Sequence, residues 1–252
     1  MKVIGIIPAR YKSSRFEGKA LANILGKPMV QRVYERAVQA ETLDDVIVAT
    51  DDERIFDCVK KFNGKVVMTS VDCPTGTDRV AEVAADEHRI FSLQDSDIIA
   101  NVQGDEPLLE PAMLDSMIRP FFADPSLQVS TLAQLISSEQ DYRNPNVVKV
   151  VTDKNGFAMY FSRAPIPGTK ARKWHEGIKS YRHIGLYAYK RDCLLKFIKM
   201  SPARFEQIEG LEQLRFLENG IPIKVVETQY STIGVDTPLD LQRVIEVLKK
   251  GG

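Results

Sequence analysis

Short β-branched runs that alternate with amphipathic helical stretches over the first 125 or so residues constrain this chain most. The runs Val3–Ile7, Val46–Thr50, Lys65–Met68 and Asp97–Val102 are too short for helices and rich in Val and Ile. Strands separated by helices do not pair as hairpins; crossover connections carry them into a parallel sheet. Between the first two runs, Pro28 sits at a helix start, and Val30, Val33, Tyr34, Ala37 and Val38 recur at helical spacing as a core-facing stripe. After Pro125 the texture changes. Strand-like segments at Leu127–Leu135, Val147–Thr152, Phe157–Ser162 and Tyr181–Tyr189 follow with few helices between them, so an antiparallel addition is expected there. The tail returns to helix, strand and helix. Thr237-Pro238-Leu239-Asp240 is a capping start for a last helix with the stripe Leu241, Val244, Ile245 and Leu248. The fold class is α/β: an open, mostly parallel sheet with crossover helices and an antiparallel addition, in a chain long enough to bury a full core.

The first strand ends at Pro8, and the ten residues from Arg10 to Lys19 follow it as one loop. Arg10, Lys12, Arg15 and Lys19 are opposed there only by Glu17, a local charge of about +3. In open α/β sheets, ligands bind at the carboxyl ends of the strands, so this loop is placed to hold a polyanion such as a triphosphate. Ser13 and Ser14 add hydroxyls and Gly18 a flexible turn. The whole chain has 34 basic and 34 acidic residues, which argues against coating nucleic acid and makes the cationic loop a local device. A solvated basic face is the plain alternative for this segment taken alone. Cys58, Cys73 and Cys193 are scattered and without C-x-x-C spacing, so they read as buried or idle thiols, not a disulfide framework or zinc site. No signal peptide and no 18-residue apolar run are visible, and a cytoplasmic location without membrane association is expected.

Gly104-Asp105-Glu106-Pro107 puts a carboxylate just beyond a central strand, a position suited to magnesium, which takes one or two carboxylates together with phosphate oxygens and water. Asp236 precedes the helix that Thr237 caps and is a second acid of the same kind; a turn Asp and a helix-capping acid are the plain alternatives. Two such acids and a cationic loop together fit metal-assisted nucleotidyl transfer. Thr75-Gly76-Thr77-Asp78-Arg79 opens a helical stretch whose free N–H groups and guanidinium are placed to meet a base edge or a phosphate. Arg163 follows a strand, and His183 and Tyr187 are evenly spaced and so share a strand face. His88 and His175 have polar surroundings and no partners. After Phe205, Glu209, Glu212 and Gln213 are expected on one face of a helix with Leu211, Leu214 and Leu217 as its apolar stripe. Pro165, Pro167 and Gly168 open a polar loop to about Ser180, expected as a mobile lid.

These motifs resemble, in order and over nearly the full chain, the 3-deoxy-manno-octulosonate (KDO) cytidylyltransferases. The resemblance rests on Ile7-Pro8-Ala9-Arg10-Tyr11 with Ser14-Arg15 and Gly18-Lys19, Val48-Ala49-Thr50-Asp51, and Gly76-Thr77 with Arg79. It continues through Asn101 to Pro107, Tyr160-Phe161-Ser162-Arg163, His183, Leu211-Glu212-Gln213-Leu214-Arg215 and Gly234-Val235-Asp236-Thr237-Pro238. It implies a nucleotide-diphospho-sugar transferase-like fold, a homodimer, magnesium, and transfer of CMP from CTP to KDO with release of pyrophosphate, a step of lipopolysaccharide biosynthesis. By motif, Arg10, Ser14, Arg15 and Lys19 would hold the triphosphate, with Lys19 and Arg15 neutralising the leaving pyrophosphate. Thr77, Arg79 and the backbone around Ala9 would read cytosine, and Asp105 and Asp236 would hold the metal. Gln103, Arg163, His183, Tyr187, Glu212 and Gln213 would contact the sugar acid. One domain over 1–252 is expected, with a nucleotide-binding part at 1–125, a substrate and dimer lobe at 126–200 and a return to the core at 201–252. The family usually carries proline where this chain has Glu17 and Ala20, so a less restricted loop and weaker nucleotide affinity are expected. The alternatives are a related enzyme for 8-amino-KDO or another acidic sugar, and a catalytically silent nucleotide-binding regulator.

Overall fold

The computed structural model describes residues 1–13, 15–85, 90–170, 174–175 and 177–250. They form two compact units: Met1–Asp115 with Ser231–Gly252, and Ser116–Tyr230. Ser14, His88 and residues 171–173 and 176 of the expected lid lie outside the described residues.

The first unit contains strands β1 (Val3–Ala9), β2 (Asn23–Ile24), β3 (Lys27–Pro28), β4 (Asp45–Thr50), β5 (Val66–Met68) and β6 (Ile98–Asn101). Its helices are α1 (Met29–Ala37), α2 (Glu53–Lys61) and α3 (Gly76–Ala85). The parallel sheet anticipated from the β-branched runs is present in the order β6-β1-β4-β5, with Ile6 opposite both Ile47 and Asn101. β1 is buried along nearly its whole length, as a central parallel strand must be. Because the strands are parallel, β1, β4 and β6 all end at one edge, and the segments after Ala9, Thr50 and Asn101 leave from there. In α1, Val30, Val33 and Ala37 are buried as expected; Val38 is the C-cap and exposed.

The chain passes into the second unit within α4 (Pro111–Ala123). There follow β7 (Val129–Leu135), α5 (Glu139–Arg143), β8 (Lys149–Thr152), β9 (Ala158–Ser162), β10 (Tyr181–Lys190), α6 (Arg191–Phe197), α7 (Arg204–Glu209), α8 (Leu214–Glu218) and β11 (Ile223–Glu227). β10 is antiparallel to β7 and β8, and β8 to β9, the antiparallel texture expected after Pro125; β11 joins β7 in parallel. Residues 201–230, expected with the return to the core, belong to this second unit.

One helix expectation is corrected. Glu209, Glu212 and Gln213 do not share a helix face, because Gly210 takes the left-handed conformation at φ 63° and ends α7. Glu209 is the last residue of α7, and Glu212 and Gln213 stand in the turn before α8. The described parts of the 165–180 loop are tied down: Tyr142 donates to the Pro167 carbonyl and Ser180 to that of Ile166, both at 2.7 Å, and Trp174 packs on Ile136, Tyr142 and Ile178.

Back in the first unit, α9 (Pro238–Lys250) lays Leu241, Val244, Ile245 and Leu248 against Ile24, Met29 and Val235, the stripe read from the sequence. Thr237 caps it as expected: its Oγ1 accepts from Asp240 N at 3.3 Å, and Asp240 accepts from Thr237 N at 3.0 Å. Among the described residues no helix is long and apolar enough to cross a membrane.

Candidate active site

The two candidate metal acids meet at the strand-end edge of the first unit, and backbone geometry brings them there. After β6, Val102 N still bonds the Ile6 carbonyl at 2.9 Å, and the chain then turns through Gly104. A Cβ on Gly104 would lie 2.7 Å from the Pro8 carbonyl oxygen, so only glycine lets the turn press against the end of β1. Asp105 O in turn accepts from Val235 N at 2.9 Å, which fixes the 234–236 segment beside the turn. Asp236 stands one residue before the cap of α9, so Asp240 satisfies the helix terminus and leaves the Asp236 carboxylate for other partners.

Lys19 is one of those partners. Its Nζ lies 2.6 Å from Asp105 Oδ2, 3.3 Å from Asp236 Oδ1 and 3.1 Å from the Val235 carbonyl oxygen. Arg15 donates to Asp236 Oδ1 at 2.9 Å from a more exposed position, its side chain 66% accessible against 17% for Lys19. An ammonium bonded to both acids shows that the pair accepts a shared cation. A divalent ion fits the same donor set, because magnesium needs only one or two carboxylates when phosphate oxygens and water complete its shell. Among the described residues no cluster of three or more His, Cys, Asp or Glu forms a caged metal site.

The cationic loop is held by its backbone. Gly18 N bonds the Tyr11 carbonyl at 2.8 Å, and Gly18 adopts φ 68° with the Tyr11 ring 3.1 Å from where a Cβ would stand. Phe16 anchors the loop in the α9 cluster and Ala20 is buried, while Glu17 is exposed. The turn through Gly18 thus restrains the segment in which the family's prolines are missing.

A cavity of ≈ 240 Å³ extends from Ala9, Arg10 and Ser13 past Lys19, Gln103 and Asp105 to Thr75, Gly76 and Arg79. The structure therefore gathers Ala9, Arg10, Arg15, Lys19, Arg79, Gln103, Asp105 and Asp236 around one space. Arg79 is only 3% exposed; it pairs with Asp51 at 3.0 Å and donates to Thr69 Oγ1 and to the Ser70 carbonyl, so it braces the wall as well as lining it. Thr77 is buried on α3. Ser13 of the cationic loop and Thr75 just before α3 line the cavity as well, and so does Cys73, which carried no sequence signal for this place and whose thiol donates to Glu82 at 3.0 Å.

In the second unit the candidate sugar contacts rest on an aromatic ladder. His183 meets Phe161 edge-on at 5.0 Å and Tyr187 at 5.3 Å, and Tyr187 stacks on Tyr189 at 5.6 Å. A bulge between Ile184 and Tyr187 puts three steps of β10 opposite one of β7. The two extra residues preserve parity, so His183 opposite Ala133 and Tyr187 opposite Thr131 stay on one face. The Thr131 hydroxyl fills the bulge, 2.7 Å from the Leu186 carbonyl and 3.0 Å from His183 Nε2. With its one proton given to the carbonyl, the hydroxyl oxygen accepts from Nε2–H, which assigns the neutral tautomer. Burial lowers the His183 pKa to about 3 and raises that of Tyr187 well above the phenol range, the latter reinforced by the Glu212 carboxylate. Tyr187 Oη and Gln213 Nε2 are buried without a hydrogen-bond partner. Such atoms cost about 1–3 kcal/mol each unless a ligand or water satisfies them.

Arg163 and Glu209 are engaged with the backbone. Arg163 donates to the carbonyls of Glu209 at 2.8 Å, Pro145 at 3.3 Å and Gly210 at 3.5 Å, and Glu209 accepts from Ser162 Oγ at 2.6 Å and Arg163 N at 3.0 Å. Lys149, fully buried, donates to the carbonyls of Asn144 and Arg163 at 2.8 and 2.6 Å, and desolvation lowers its pKa. This network holds the Gly210 turn from which Glu212 and Gln213 project.

The family model described as cytidylyltransferase matches residues 4–227, which defines the class. Similarity is also high to the 3-deoxy-manno-octulosonate cytidylyltransferase of Geotalea uraniireducens, 56% identical with 99% of this chain and 100% of that protein covered. The protein of the same name from Geobacter metallireducens is 55% identical with 99% of each covered. Among solved structures, a CMP:2-keto-3-deoxy-manno-octonic acid synthetase complexed with CTP superposes with a TM-score of 0.91 at 41% identity and full coverage of both chains. A Leptospira borgpetersenii cytidylyltransferase shares the fold at TM-score 0.62 and 16% identity, over 100% of this chain and 95% of the other. The chain belongs to the cytidylyltransferases, in the 3-deoxy-manno-octulosonate cytidylyltransferase family.

Proposed function

We propose that this protein transfers CMP from CTP to the anomeric hydroxyl of KDO, in the presence of magnesium, giving CMP-KDO and pyrophosphate for lipopolysaccharide synthesis. The observation that carries the reading is the Asp105–Lys19–Asp236 arrangement at the end of a cavity flanked by Arg10 and Arg15. Family membership and the CTP complex of a 41% identical protein support it.

On this reading the triphosphate enters the cavity and draws Lys19 and Arg15 from the acids onto phosphate oxygens. Asp105 and Asp236 would hold the magnesium ion, which would supply Lewis-acid polarisation of the α-phosphate. The sugar hydroxyl gives its proton to solvent as its oxygen forms a bond to the α-phosphorus, the bond from that phosphorus to the bridging oxygen breaks, and pyrophosphate leaves with its new charge met by Lys19 and Arg15. Within the second unit, the unsatisfied Tyr187 Oη and Gln213 Nε2 suit a polyhydroxylated ligand, and a neutral His183 presents its ring without a charge. A homodimer in the cytoplasm belongs to the same proposal and rests on the family resemblance.

Pyrophosphate release tests it, with CTP, UTP, ATP or GTP and with KDO, 8-amino-KDO or sialic acid supplied in turn, before and after chelation of divalent ions. Release that requires CTP, KDO and magnesium together is expected. Release with another sugar acid in preference to KDO overturns the acceptor assignment, and silence with every sugar acid overturns the enzyme. Sedimentation of the pure protein at micromolar concentration checks the dimer.

A further inference from the structure

α3 grips the loop that forms one wall of the cavity. Thr69 is buried and its N–H is tied to the Thr50 carbonyl at 2.8 Å, but from Ser70 to Thr75 the segment is mostly exposed, Val71 to 73%, so core burial does not fix the path of that stretch. What fixes it is a pair of side chains one turn apart on α3. Glu82 accepts the Ser70 N–H on both carboxylate oxygens at 3.0 Å, and Arg79 donates to the Ser70 carbonyl at 3.3 Å. Both polar groups of the Ser70 backbone are thereby clamped to the helix. Glu82 Oε2 also accepts from the Cys73 thiol at 3.0 Å, and that thiol is kept protonated, with its pKa raised to about 12 by burial and then by Glu82. Farther along, Thr75 and Asp78 form a reciprocal cap, with Thr75 Oγ1 donating to Asp78 at 2.8 Å and accepting from Asp78 N at 3.2 Å. The loop is thus fixed at Ser70, Cys73 and Thr75.

The fixed wall faces the end of β1. The position of a Cβ on Gly76 lies 3.6 Å from Pro8 Cγ, so the loop-to-helix junction sets the width of the slot between residues 73–76 and Pro8-Ala9. We propose that Glu82, which carries no role in the transfer chemistry, is the positioning residue that holds the Ser70–Thr75 wall and so sets nucleobase selectivity. The inference rests on the reading that this end of the cavity takes the base.

The test compares Glu82→Ala and Glu82→Gln with the unmodified protein. The readouts are the KM for CTP, kcat at saturating CTP, and the ratio of kcat/KM for CTP over UTP. Loss of a hydrogen-bonded carboxylate is expected to raise the KM for CTP about tenfold in Glu82→Ala and to narrow the CTP-over-UTP ratio, with kcat changed less than about twofold. Glu82→Gln keeps one oxygen for Ser70 N and is expected to recover most of the loss. Alkylation of Cys73, followed by peptide mapping, gives a readout apart from turnover: it is expected to be faster in both variants than in the parent, and slowed by CTP.

Unchanged KM and CTP-over-UTP ratio in Glu82→Ala overturn the inference, and so does a fall in kcat at constant KM. If Glu82→Ala fails to fold, the intermediate KM and faster Cys73 alkylation of Glu82→Gln carry the same decision. If the unmodified protein binds CTP but transfers nothing to KDO, the functional reading fails while calorimetric CTP and UTP affinities of the variants still decide the role of Glu82.

Discussion

Lys19 in the first unit and His183 in the second meet opposite environments. Lys19 is held by two carboxylates that it can leave, at a cavity mouth where the neighbouring Arg15–Asp236 pair is largely solvated. His183 is packed between Phe161 and Tyr187, its Nε2 on a hydroxyl already committed to a backbone carbonyl, and burial keeps it neutral. The first region works with charges: the Arg15–Asp236 pair is solvated and contributes little to folding, the Lys19–Asp105 pair is half-shielded, and on the proposed reading both cations exchange their carboxylates for phosphate. The second sets an uncharged aromatic face around His183 and Tyr187, with charged groups such as Glu212 and Arg163 beside it, and most of that face is desolvated when the chain folds. Substitutions in the first should therefore change turnover far more than stability, whereas those in the second divide between ligand affinity and folding.

The sharpest test of that contrast is removal of either of the two acids proposed to hold the metal. Asp105→Asn and Asp236→Asn are each expected to lower kcat by about a thousandfold, roughly 4 kcal/mol of transition-state stabilisation, while urea unfolding midpoints move little. A variant that kept near-normal turnover with magnesium would remove that acid from the metal site. Next in size is Tyr187→Phe. The hydroxyl has no partner, so its removal is expected to leave stability unchanged or raise it by up to about 1 kcal/mol, while the KM for KDO rises about tenfold. Loss of stability with an unchanged KM would show that the hydroxyl serves the fold.

The parallel sheet, the last helix and its Thr237 cap were legible in the sequence because each follows from local periodicity or a four-residue capping pattern. The acids were legible as strand-end and helix-start residues, but their meeting was not. It depends on Gly104 pressing on Pro8 and on a bond from Val235 to Asp105, both contacts between distant segments. His183 and Tyr187 were correctly placed on one face, although the bulge between them was invisible; it preserved parity only because it inserts two residues. The helix over Glu209–Gln213 was misread because its apolar spacing continues through Gly210, whose left-handed conformation outweighs periodicity. The partner of Cys73 was not legible either: the free thiol was anticipated, but nothing in its neighbourhood of the sequence indicates Glu82, nine residues on.

A pH series separates the regions further. His183 has a folded pKa of about 3 against roughly 6.5 in an unfolded chain, so protons bind the unfolded state more readily. Its contribution to stability is fully present above about pH 6.5 and is lost as pH falls toward 3. Unfolding midpoints of the parent should therefore fall through that window more steeply than those of His183→Gln. Between pH 6 and 8 the imidazole should show no titration by NMR. A midpoint near 6.5 in the folded protein would mean that the ring is solvated and that the two regions are electrically alike.

The smallest effect on folding is expected at Arg15. Its pair with Asp236 is solvent-exposed and Asp236 also has Lys19, so Arg15→Gln should change stability by less than about 0.5 kcal/mol. The same substitution should weaken CTP binding, and most at low salt, because the guanidinium's attraction for phosphate is screened within about 10 Å at 0.1 M salt. Parent and variant should then approach one another in KM for CTP as salt is raised. If the difference persisted at 0.5 M salt, Arg15 would be holding the nucleotide through a desolvated contact, and exchangeable charge would no longer describe the first region.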